Sequence, residues 1–208
     1  MTIAASDCER CRPGPVAQPV NTASSLAYVA AGAALVRDAR RRPRARRSEV
    51  ALGWATVAVG VGSVAYHGPG GRLGQRTHDA SLLATLGLLA VADAELLLDG
   101  REVPPAALGL VGVAAVVGSH PSRSMEVQAA AGLLAGAAEV ARVLRHPAGE
   151  HGPWARRAEL PTFLVGAAAH LLGRTGGPLC RPDSLAQPHA LWHVLTALTL
   201  RLRTHDTP

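Results

Sequence analysis

Seven apolar blocks pattern the chain, separated by short polar or Pro/Gly-rich stretches. They run approximately 22–36, 50–67, 79–98, 104–119, 125–144, 159–173 and 187–202. A helix that crosses a bilayer needs about 20 apolar residues, with a range of roughly 17–25. The blocks therefore predict an all-α bundle of seven transmembrane helices, several of them short. The fifth block is the least apolar, because it carries Glu126, Gln128 and Glu139. Its two glutamates lie near its ends, where snorkelling or a partner helix accommodates them. No fixed-period repeat divides the chain. Residues 1–208 read as a single membrane domain, with 1–21 as an arm ahead of the first span.

Composition strengthens the membrane reading. The chain is 48% hydrophobic but only 3% aromatic, so its helices must pack through small residues, as membrane helices do. All 21 basic residues are arginine, and the net charge is +6. The arginines crowd between apolar blocks instead of forming a basic face on a soluble fold, which argues against nucleic acid as a partner. Seven of them lie in the first connection, RDARRRPRARRSE. Placing that connection in the cytoplasm puts the N-terminus outside and the C-terminus inside. Arginines then divide fourteen inside to seven outside, as the positive-inside rule requires. Met1 to Val20 is polar and Pro-rich, unlike a signal peptide, so the first apolar run is expected to stay in the mature protein. The same orientation puts Cys8, Cys11 and Cys180 on the oxidising side. Either Cys8 or Cys11 can tie the arm to Cys180, and three thiols are the alternative.

Candidate chemistry gathers at the outer ends of the spans. In PHALWHVLTAL, His189 and His193 stand four residues apart, on one helix face and close enough to share an ion. Pro188 suits the first turn of that helix. HxxxH alone equally describes two hydrogen-bonded helix histidines. In VGVGSVAYHGPGG, Ser63 and His67 repeat the i, i+4 spacing, and THDASLLA brings Asp79 to the start of the third block. An orientation taken from arginines alone thus sets Ser63, His67, Asp79, His189 and His193 at one depth. Ionisable residues in a span are costly and point to function. Three neutral imidazoles and an open position make a catalytic zinc site, where a bound water's pKa falls toward about 7. Asp79 is the expected general base and then acid, and Ser63 is expected to hydrogen-bond the water or a developing oxyanion. The competing roles are a helix N-cap for Asp79 and a small packing residue for Ser63.

The SxxxH, the following Asp and the late HxxxH resemble the CREST superfamily of seven-span membrane hydrolases, which includes alkaline ceramidases and the progestin and adiponectin receptors. The opening CERCRPGPVAQPVNTASSLAYVAAG, the segment GVGSVAYHG and the segment HALWH look like those of the alkaline ceramidases and their bacterial relatives. The outside N-terminus also suits the ceramidases, since the receptors run the other way. The resemblance implies a zinc-dependent amidase that splits N-acyl sphingoid bases, reached sideways from the bilayer, into a sphingoid base and a fatty acid. His67, His189 and His193 match the zinc ligands, Asp79 the acid beside the zinc, and Ser63 the serine. It also implies a Cys8–Cys180 disulfide. Animal relatives hold calcium on acidic residues of the arm. Asp7 and Glu9 are the candidates here, but Gln18 stands where an acid is expected, and a neutral amide gives calcium less charge. A short chain with tight loops also allows an N-acyl lipid other than long-chain ceramide.

Other residues carry blander readings. His170, near the outer end of the sixth block, reads as a satisfied helix-end histidine, and His78 as either a partner of the metal site or a solvated loop residue. His120, His146, His151 and His205 fall in loops or the tail. Trp54 and Trp192 suit the membrane interface, and Asp93 and Glu95 suit ion pairs. The absence of HExxH and GxSxG excludes zincin and serine-elbow chemistry. The alternatives to the amidase are a seven-span zinc-containing lipid receptor or sensor, and an HxxxH protein that binds haem or carries metal. The Arg-only, Ala-rich composition suits a bacterial plasma membrane, with the site near the outer leaflet and a membrane lipid as substrate.

Overall fold

The computed structural model describes residues 6–145 and 153–204, in which helices are joined by turns and loops and no strand occurs. His146, His151 and His205 lie outside the described residues, as do the side chains of Arg156 and Arg157. The helices are α1 (Pro19–Ser24), α2 (Leu26–Arg41), α3 (Arg47–His67), α4 (Gly71–Leu97), α5 (Pro105–Gly118), α6 (Ser124–Arg145), α7 (Pro153–Leu172) and α8 (Pro188–Thr204). Ser25 alone separates α1 from α2, and together they make one apolar rod, Pro19–Arg41.

Four helices are long and apolar enough to cross a membrane: Pro19–Arg41, α3, α4 and α6. The weak fifth block is thus the 22-residue α6. The fourth block is only the 14-residue α5, about 21 Å of helix against a hydrocarbon core of roughly 30 Å. Apolar Ala158–Leu172 in α7 is also short.

The third block differs from expectation at its start. Its apolar run begins at Asp79, but α4 begins at Gly71. The added residues include Arg72, Gln75 and Arg76, good helix formers that need no apolar face. Gly70 and Gly71, at φ +67° and +80°, let the chain reverse tightly after α3. Asp79 therefore lies two turns inside a helix and is no N-cap. His78 is likewise helical.

Small residues set the spacing of the rods. A Cβ on Gly32 of α2 would lie 2.6 Å from the Gly53 carbonyl oxygen of α3. A Cβ on Gly62 of α3 would lie 2.9 Å from the backbone of His78 on α4. Both contacts are backbone to backbone, the close approach that glycine permits. The second one holds Asp79 level with Ser63. Around the bundle, α7 packs on α8, α8 on α2, α2 on α3, α3 on α4, and α4 on both α5 and α6.

Buried ion pairs close the end opposite the histidines. Arg46 holds Glu49 at 2.8 Å, and Arg42 takes the other Glu49 oxygen at 2.8 Å. Glu95 accepts from Ser48 and from the Val103 amide. Asp93 on α4 meets Arg142 of α6 and Arg203 of α8, and Glu139 joins both arginines. Asp93 and Glu95 are paired, as their position suggests. Glu139 answers for the polarity of the fifth block in the same way.

Replacing Gly62 with Ala forces α3 and α4 apart and is expected to cost about 1–3 kcal/mol. Thermal unfolding in detergent checks it against Gly109→Ala, where a Cβ meets open space and the midpoint should not fall.

Candidate metal centre

Two helices of the N-terminal half, α1 and α3, and the last helix bring the imidazoles together. His67 closes α3 at zero exposure, and His189 and His193 open α8, buried at 8% and 2%. The short α1 packs against both α3 and α8 and wedges them at the right separation. The ring centroids lie 5.0 Å apart for His67–His189, 4.5 Å for His189–His193 and 5.2 Å for His67–His193. One ring nitrogen from each falls within 4.8 Å of the others. These three buried histidines can hold a metal ion.

Hydrogen bonds settle which nitrogens are left for it. Gln18 is fully buried, and its amide nitrogen donates to the Glu9 carbonyl at 2.8 Å. That turns the Gln18 oxygen to His67 Nδ1, 2.7 Å away. An amide oxygen only accepts, so His67 carries its hydrogen on Nδ1. His67 Nε2 is then a bare lone pair, and it is buried with no hydrogen-bond partner. His193 follows the same logic. Ser24 gives its one hydroxyl hydrogen to the Asn21 carbonyl at 3.0 Å. It must therefore accept from His193 Nδ1 at 2.9 Å, again leaving Nε2 bare. Neutral imidazoles with Nδ1 held by an outer partner are how metal-binding histidines are oriented. The donor set, all nitrogen and compact, suits zinc.

The other expected residues take the following places. Ser63, one turn below His67, is fully buried, and its hydroxyl bonds Ser25 Oγ at 2.9 Å. Ser25 Oγ also lies 2.7 Å from the Asn21 carbonyl, and its single hydrogen serves one of these two partners. Asp79 is buried on α4, with Oδ1 3.1 Å from His78 Nδ1. The His78 ring stacks on Tyr66. Tyr28 adds an edge contact to His193 at 5.6 Å.

The arm is locked over this end. Cys8 and Cys180 form a disulfide, while Cys11 is exposed. Thr175 donates to the Ser6 carbonyl, Arg10 to the Pro182 carbonyl, and Ala17 to the Gly68 carbonyl. Arg10 also grips both Asp183 oxygens, at 2.6 and 2.7 Å, and that bond holds the Asp183 carboxyl below the usual range. Both Glu9 oxygens accept amides at the start of α1, from Val20 at 2.9 Å and Asn21 at 2.8 Å. Glu9 is thus the cap of α1, a role its place in the sequence did not show. Asp7 takes the Ser6 hydroxyl at 3.1 Å and lies 3.7 Å from His189 Nδ1. Burial pushes the Asp7 carboxyl up to about 6. The two acids named for calcium therefore serve the α1 terminus and the surroundings of His189.

Gln18 and Ser24 have working roles that the sequence reading missed. Gln18 was noticed only as a missing acid. Neither stands at a helical spacing from the histidine it serves, so no local pattern could reveal the pairing. His170 was set aside as a helix-end residue, yet its Nδ1 lies 3.2 Å from His189 Nδ1.

No family model matches the chain, and no curated protein matches it.

Detergent-purified protein is expected to hold about one zinc per chain, lost in the His189→Ala/His193→Ala double variant. Elemental analysis beside protein quantitation reads this directly. Gln18→Ala should weaken zinc by roughly 10- to 100-fold, measured by competition with a chelator.

Proposed function

We propose that the protein is a zinc-dependent integral membrane amidase that cleaves N-acyl sphingoid bases or closely related N-acyl lipids. The observation that carries this reading is the buried His67–His189–His193 cluster, with a bare nitrogen at its centre and Asp79 on the adjoining helix. In this reading seven segments span the membrane, with the N-terminus outside, the C-terminus cytoplasmic and the site near the outer leaflet of a bacterial plasma membrane. The short α5, α7 and α8 then cross with help from their neighbours or a locally thinned bilayer.

Two features of the packing support a lipid substrate. The arm and the 173–187 loop cover the aqueous side of the centre, tied by the disulfide and the Arg10–Asp183 pair. Sideways, α7 packs on α8 and α6 on α4 and α5, and among the described residues α6 and α7 share no extended packing. Leu133 and Leu134 of α6 and Leu164 and Leu171 of α7 are exposed. An acyl chain can lie along such a seam with its amide turned inward.

The residues divide the work of hydrolysis. His67, His189 and His193 would hold the zinc, which would supply a Lewis acid able to lower the pKa of water toward neutrality. Asp79 takes the proton released as the water oxygen bonds to the amide carbon. It then delivers that proton to the nitrogen as the C–N bond breaks. His78, 3.1 Å from Asp79, keeps that carboxyl oriented. Ser63 offers a hydroxyl one turn below, held in place by Ser25. The products are a free amine on the sphingoid base and a fatty acid, both able to return to the bilayer.

Asp79→Asn tests the reading. It should keep its zinc while fatty-acid release from an N-acyl sphingoid base in mixed micelles falls by roughly 10²- to 10⁴-fold. Undiminished turnover removes Asp79 from the chemistry. Wild-type protein that holds zinc and lipid but shows no multiple turnover indicates a lipid receptor instead.

A further inference from the structure

Each buried ligand ring needs a partner at Nδ1. His67 has Gln18 and His193 has Ser24, but His189 has two candidates. His170 Nδ1 lies 3.2 Å away and Asp7 Oδ1 3.7 Å. The first is a hydrogen bond and the second is too long for one. Asp7 Oδ1 already receives the Ser6 hydroxyl. His170 is held where it is by close helix packing. A Cβ on Gly166 would lie 3.1 Å from Leu195, and one on Gly173 only 2.1 Å from Pro188 Cβ. A larger residue at Gly173 would have to displace Pro188, and one at Gly166 would press on Leu195 and Trp192. The His170 ring also packs on Trp192, with centroids 5.3 Å apart and planes at 31°.

We propose that His170 is the positioning residue of His189: its bare Nδ1 accepts the Nδ1 hydrogen of the ligand ring, which turns His189 Nε2 to the metal. The assignment rests on the metal-centre reading above and adds a fourth histidine to it. It completes a set of one outer acceptor per ligand, drawn from three different segments: the arm, α1 and α7. It also ties α7, which flanks the open seam and packs on α8, to the orientation of a ligand.

The test uses the full-length protein in detergent, loaded with zinc or cobalt(II) and titrated against a chelator. His170→Phe keeps a ring against Trp192 but has no acceptor. His170→Asn places an amide oxygen close to where Nδ1 was. Zinc affinity should fall roughly 10- to 100-fold in His170→Phe and stay within a few-fold of wild type in His170→Asn. The cobalt(II) visible bands should shift in His170→Phe alone. His170→Leu gives the same contrast if the Phe ring does not fit. Wild-type affinity and spectrum in the acceptor-less variants would overturn the assignment. So would a loss seen in Asp7→Asn but not in them, which would make Asp7 the partner. Wild-type protein without metal affinity would remove the metal centre itself, and that result appears before any variant is read.

Discussion

The bare Nε2 of His67 is the constraint around which one end of the molecule is arranged. An imidazole lone pair in a dry interior is costly unless something accepts it, and its direction matters as much as its presence. That direction is set through a chain of groups that can each play one part only. The Gln18 oxygen can only accept, and it faces His67 because the Gln18 nitrogen is committed to the Glu9 carbonyl. Glu9 is fixed because its carboxylate caps α1, where anionic oxygens meet unpaired amides and the positive end of the helix dipole. The residue before Glu9 is bonded to Cys180. Helix start, disulfide and the His67 ring are thus successive links of one element.

This arrangement explains what was legible in the sequence. His189 with His193, and Ser63 with His67, were readable because a helix converts a spacing of four into a shared face. Agreement of their depths followed from arginine counting. The apolar blocks marked the helices well, but the ends were less clear where polarity and helicity part company, as at Gly71–His78. The outer partners were invisible for a different reason. Gln18 lies 49 residues from His67, and Ser24 lies 169 from His193. Contacts at such separations leave no periodicity. The disulfide came into view only through family resemblance, since three cysteines on one side allow more than one pairing.

Arginine does two jobs in this chain. The run from Arg37 to Arg47 reads as a topological signal, but Arg42 and Arg46 also reach back to Glu49. Arg142 and Arg203 enter the bundle and share Asp93 and Glu139. Guanidinium suits this task because its planar fork serves two carboxylates at once and stays charged. Removing one partner would leave an uncompensated buried charge, which costs far more than the pair contributes. Glu139 and Arg142 therefore tie α6 to Asp93 of α4 and Arg203 of α8.

The two ends of the bundle show why burial of ionisable groups does not by itself identify a functional site. At the end away from the histidines every buried acid named above lies beside an arginine, and the charges cancel within the protein. Its charges are answered by opposite charges, although one Asp93 oxygen has no hydrogen-bond partner among the described residues. At the other end three imidazoles face one another. For His67 the hydrogen is held on the outward nitrogen by an amide oxygen that can only accept, and for His193 by a hydroxyl whose own hydrogen goes to the Asn21 carbonyl. Two lone pairs pointed at one spot repel, and the groups that fix the tautomers prevent the rings from turning to relieve it. Within the fold no proton donor answers His67 Nε2. What this arrangement lacks is an electron-pair acceptor, and a divalent cation that takes nitrogen ligands supplies it. That asymmetry, more than the count of histidines, is the physical argument for placing the chemistry where α3 ends and α8 begins.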